Sequence, residues 1–188
     1  QILSRRVYFN GTFTGPFPAN TVVVDSGVNN FMPVTTATLD RPLEVQGDLV
    51  NVVAYNTQFG ATASVMAKVV TFDNRVGALQ NISIMEDDDY AADQKYVDIT
   101  TDGKGFMMAY AEQFGSGADY DIYYCSGHVQ DAPGLGFRVT LAESHLNLAF
   151  SGSVESFPAI TSQFDGGVFT NPSDDDACIV WQDVSTTQ

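Results

Sequence analysis

Apolar residues along this chain fall in short runs, rich in β-branched and aromatic side chains, each closed by Gly, Pro, Asn or Asp. Residues 49–55 (LVNVVAY) and 64–72 (SVMAKVVTF) read as buried strands, separated by a turn around Gln58, Phe59 and Gly60. Residues 81–85 (NISIM) alternate apolar and polar, the period of a half-buried strand. Residues 21–25 read as a short strand stopped at Ser26-Gly27, and Val7-Tyr8-Phe9 runs into Asn10-Gly11, a dipeptide suited to a tight hairpin. Further strands are predicted over 96–100, 106–111, 121–125, 137–141, 145–150 and 179–184. Helix is expected only as short turns, over 87–94, where acidic residues lead, and over 141–145. The seven prolines are expected in loops or at strand edges, including an apolar loop Phe31-Met32-Pro33-Val34.

Many short strands with almost no helix define an all-β fold. Trp181 follows both cysteines, which breaks the Cys-Trp-Cys order of immunoglobulin domains. The expected architecture is therefore a single jelly-roll sandwich or barrel, with about eight core strands and one or two extra. A length of 188 residues suffices for one full core and is short for two, and no repeat or linker interrupts it, so one domain is expected over 1–188. No apolar run approaches the roughly 20 residues that a spanning helix requires. Gln1 to Arg6 hold neither an initiator Met nor an apolar leader, so a trimmed terminus is expected.

Charge changes the picture most. The 23 acidic residues face 8 basic ones, for a formal charge of -15. Asp dominates the acids, and Lys68, Lys95 and Lys104 are the lysines. In dilute buffer such a charge opposes the compact state by self-repulsion. In concentrated salt the screening length falls to a few ångströms and surface carboxylates hold hydrated cations. The low-Lys, high-Asp balance is that expected of a salt-adapted protein. It argues against direct nucleic-acid binding, since no basic stripe is present to neutralise phosphates.

Candidate chemistry is sparse. Asp87, Asp89 and Asp93 cluster oxygens suited to a hard cation, but an EF-hand loop starting at Asp87 would have Ala92 where Gly is needed and Asp98 where Glu is needed. Asp174-Asp175-Asp176 reads as a solvated loop. His128 and His145 lie on different segments, short of a clustered metal site, and Cys125 with His128 lacks an orienting third group for nucleophilic catalysis, Gly127-His128 reading instead as a turn after a strand. No G-x-S-x-G elbow, P-loop or zinc spacing occurs, so no catalytic residues are assigned and no enzyme is expected. Cys125 and Cys178 are candidates for pairing with each other, for an intersubunit contact, or for burial as thiols. Tyr90, Tyr96, Tyr120, Tyr123 and Tyr124 are weighed as platforms for sugar rings, against the plainer reading as core or interface residues. Apart from structural cations, no cofactor is implied.

A compact jelly roll with Asp-rich, Lys-poor composition and no catalytic site resembles the small major capsid proteins of halophilic icosahedral viruses that enclose a membrane, the vertical single β-barrel type. The resemblance rests on size, strand spacing and composition over the whole chain. It implies a shell subunit in a virion, associating with itself and with a second capsid protein, in a particle that also has vertex proteins and an internal membrane. Phe13 and Phe17, in the stretch TFTGPFP, and Phe31 and Met32 are the candidate interface residues. The alternatives are an extracellular carbohydrate- or surface-binding β-sandwich module, and a decoration or spike protein riding on another lattice.

Overall fold

The computed structural model describes residues 1–5, 21–25, 30–39, 50–59, 62–71, 80–81, 93–113, 119–132, 136–149, 152–162 and 177–184. Among them every regular element is a strand. β1 (Ile2–Arg5) pairs with β2 (Thr21–Asp25). β3 (Asn30–Leu39), β4 (Val50–Phe59), β5 (Thr62–Thr71) and β6 (Gln80–Asn81) form one four-stranded sheet in sequence order. β7 (Gln94–Thr101), β8 (Gly105–Gln113), β9 (Tyr120–Ala132) and β10 (Gly136–Ala149) form a second. β11 (Val154–Ser162) and β12 (Ala177–Val184) complete the set as a pair.

These units stack in layers. On β4, Val52 and Ala54 point into the main core with Met108, Tyr110, Tyr123 and Cys125 of the second sheet, while Val53 and Tyr55 point the other way, onto Ile2 and Val24. Successive strand residues face opposite sides, so β4 is buried on both and reads as a continuous apolar run. β11 lies against β7, β8 and β9 on the far side of the second sheet. Asp98 and Thr100 of β7 hold it there: the Ile160 N–H donates to Asp98 Oδ2 (3.0 Å), and the Ser162 N–H donates to Thr100 Oγ1 (3.1 Å). Thr35 Oγ1 donates to Asp98 Oδ1 (2.8 Å), so one carboxylate joins β3, β7 and β11.

The all-β expectation holds. The described pairings, however, all join strands adjacent in sequence, antiparallel and in meander order, with no Greek-key exchange of the kind a jelly roll is built on. Three local expectations are corrected. Residues 141–145 are not a helical turn: β10 runs through them, with register shifts between Leu141 and Leu146, because β9 offers an uninterrupted partner across the site. Gly127-His128 is not a turn after a strand but the interior of β9, paired with Leu141 and Thr140. Gly is required there by closeness: a Cβ would lie 2.5 Å from the Thr140 carbonyl oxygen and 2.7 Å from the Phe106 ring. Phe31, Met32, Pro33 and Val34 are not a loop but part of β3, where the register shifts between Phe31 and Val34. The shift frees Pro33, which has no N–H, from the ladder. Pro158 sits in β11 at a similar shift, between Ser156 and Ala159. The predicted turn over 87–94 lies outside the described residues except for Asp93 and Gln94, and Gln94 opens β7.

Candidate functional site

The outermost strands carry the surface that asks for a partner. On the β1–β2 pair, Leu3 and Val23 are cross-strand neighbours and both exposed, while Ile2 and Val24 turn inward. At the opposite end of the stack, β12 shows Cys178, Val180 and Val184 outward, opposite Thr161, Ala159 and Val154 of β11. Val180 is 58% exposed, and Trp181 adds a further exposed ring. From Cys178 to Trp181 the strand exposes an apolar stretch before the polar Gln182 and Asp183, and an exposed apolar edge of this kind is a surface on which another chain can pack.

A second exposed feature lies where β7 meets β11. Tyr96 (φ 58°) and Phe157 (φ 52°) both occupy the left-handed region, which side chains with a Cβ rarely adopt. Each sits in a register shift of its own strand, between Lys95 and Asp98 and between Ser156 and Ala159. Their rings pack against each other, tilted by 36° with centroids 4.1 Å apart, and Phe157 is 57% exposed. Val34, Thr35, Asp98 and Pro158 line a shallow depression around the pair.

The sequence-derived site residues separate. Asp93 is engaged on both oxygens: Oδ1 accepts the Ala63 N–H (2.6 Å), while Oδ2 accepts the Tyr120 hydroxyl (2.5 Å) and meets Lys95 Nζ (2.7 Å). Lys95 Nζ also donates to the Tyr120 hydroxyl oxygen (2.5 Å). Asp93 is thus a tie between β5 and the second sheet, while Asp87 and Asp89 lie outside the described residues, as do Phe13 and Phe17. Phe31 and Met32 are described by backbone alone, within β3. Cys125 is buried in the main core and Cys178 is exposed on β12, both as free thiols, so they do not pair with each other. Cys125 and His128 point to opposite sides of β9, as residues three apart on a strand must. Of the tyrosines, Tyr123 is core and Tyr120 belongs to the Asp93 tie. Sequence reading missed the acidic group that does converge, Asp119, Asp121 and Glu155. The spacing of Asp119 and Asp121 puts both on one side of an extended segment, but nothing in the sequence links them to Glu155.

The Asp93 tie predicts a pH response at both extremes. Burial pushes the Asp93 carboxyl up, but hydrogen bonds from Lys95, Tyr120 and the Ala63 N–H, with the Lys95 charge, outweigh it and leave the group below its ordinary 3.8. Burial pulls Lys95 down, but Asp93 and Tyr120 more than reverse this, lifting it above 10.5. Burial and the bond to Asp93 raise Tyr120 above 10.0. A depressed carboxyl gives stability that is complete above its unfolded value and lost as pH falls through the folded one. Raised Lys and Tyr values give stability that is complete below their unfolded values and lost as pH rises through the folded ones. Thermal melts of Asp93→Asn should therefore fall less steeply than the parent's below about pH 4. An identical acid limb would show that the tie contributes nothing.

Comparison with known protein families, curated proteins and solved structures gives no match, so the reading of function rests on the chain itself. The class defined here is a layered antiparallel β-sandwich whose outer strands expose apolar residues.

Proposed function

We propose that this chain is a structural subunit of a salt-adapted protein shell, comparable to the small major capsid proteins of halophilic membrane-containing icosahedral viruses, and that it associates with copies of itself and with a second shell protein. The observation that carries this reading is the pair of exposed apolar faces on opposite outer layers, Leu3 with Val23 and Val180 with Val184. A lattice subunit needs more than one contact surface, and two faces on opposite sides of a rigid stack supply them. The charge of -15 supports the salt dependence: copies repel in dilute buffer and approach when the repulsion is screened.

The test is light scattering behind size exclusion, in molar salt and in dilute buffer. The parent chain should form discrete dimers or larger species in molar salt and lose them on dilution. Val180→Asp places a charge in the outer face without touching the core, and should weaken association at least about tenfold. A folded monomer indifferent to salt would overturn the reading. The exposed Phe157 beside Tyr96 favours a second reading, an extracellular sugar-binding module, in which Phe157→Ala would abolish retention on immobilised polysaccharide while leaving the fold intact.

A further inference from the structure

We infer that Asp119, Asp121 and Glu155 form a calcium site that fastens the start of β9 to β11. The topology explains how they meet. β10 pairs with β9 only as far as Ala149 opposite Ile122, so Asp119 and Asp121 run past the end of β10. The next strand, β11, has Glu155 as its second residue. One oxygen from each of the three carboxylates lies within 4.8 Å of the other two. A calcium ion bonds oxygens at about 2.4 Å, so oxygens gathered this closely converge on one ion with small side-chain shifts; magnesium, at about 2.1 Å, would have to draw them in further.

The second observation is burial. Asp121 is 0% exposed and Glu155 1%. Both side chains make other contacts, among them Ser153 Oγ with Glu155 Oε1 (3.5 Å). Yet Asp119 Oδ1, Asp121 Oδ2 and Glu155 Oε2 are each buried and accept no hydrogen bond. Carboxylate oxygens gathered at the margin of the core, two of the side chains buried and Asp119 half-buried, repel one another, and a hard divalent cation is the ligand whose chemistry matches an all-carboxylate set. Calcium takes six to eight oxygens, so water and backbone carbonyls complete the shell. Bound there, the ion secures β11, and with it the exposed strand β12, to the second sheet. The site stands on the carboxylates alone and does not depend on the shell reading.

Terbium luminescence tests it on the full chain, because Tyr120 lies between the two aspartates and can sensitise a lanthanide bound there. Run in molar potassium chloride, which suppresses loose binding to the acidic surface, terbium should show one saturable site per chain, displaced by calcium and far less well by magnesium. Calcium at about a hundred times its dissociation constant should raise the melting temperature by roughly 5–10 °C. Asp121→Asn and Glu155→Gln keep the side-chain shapes and should remove both signals, while Asp93→Asn, outside the cluster, should keep them. Two outcomes would overturn the proposal: terbium signals unchanged in both cluster variants, or no calcium shift together with a melting temperature that rises toward acid pH, which would assign the space to a proton shared between carboxylates.

Discussion

Tyr110→Ala is expected to destabilise the domain by about 3–5 kcal/mol, the range for removing a fully buried aromatic side chain. Tyr110 is wholly buried in β8 at the centre of the main core, with its ring nearly parallel to that of Tyr123 at 6.3 Å. The space it fills is walled by strands of both sheets, and strands tied into ladders cannot collapse into a cavity as a loop could. The loss therefore combines transfer of the ring to water with the contacts its neighbours forfeit. Denaturant titration should show a lower midpoint at an unchanged slope, and the melting temperature should fall by roughly 10 °C. Tyr110→Phe, which keeps the ring, should recover most of the difference. A cost near 1 kcal/mol for the alanine variant would mean that the two sheets do not pack through this residue.

Gln94→Leu should cost about 3 kcal/mol although leucine is of similar size and more apolar. Gln94 is almost wholly buried at the start of β7, and its amide bridges the sheets. Oε1 accepts the Val65 N–H of β5 (2.9 Å), and Nε2 donates to Glu112 Oε2 of β8 (2.6 Å). Its backbone carbonyl accepts from Asn56 Nδ2 of β4 (2.9 Å). Leucine fills the volume but takes an acceptor from a buried N–H and a donor from a buried carboxylate. The double variant Gln94→Leu/Glu112→Leu should recover part of the loss, since removing both members of a buried polar pair is cheaper than removing one. If the double variant is the less stable by the sum of the two single costs, the bond between Gln94 and Glu112 is not what matters.

Much of the fold was legible because strand periodicity is local. Residues 21–25 match β2, and the runs within 49–55, 64–72, 96–100, 106–111 and 179–184 all lie in or overlap strands of the structure. β3 and β11 were hidden by Pro33 and Pro158, which signal turns in a sequence but are tolerated in strands where a register shift removes the need for an N–H. The long β9 and β10 were cut short for a related reason. Gly127 looks like a turn residue until the Thr140 carbonyl and the Phe106 ring are seen to leave no room for a Cβ.

Residue types and their order by themselves determined the all-β class, the excess of acidic charge that salt must screen, and the lack of any familiar catalytic motif. Those properties follow from residue types and their short-range spacing. The tertiary structure alone decided the meander order of the sheets, the separation of Cys125 from Cys178, the engagement of Asp93 by Lys95 and Tyr120, and the meeting of Asp119 and Asp121 with Glu155. The ties of Asp93 to Tyr120 and of Asp119 and Asp121 to Glu155 join residues far apart in the chain, and which faces of the sheets meet depends on the packing of whole apolar surfaces, which no local pattern of the chain encodes.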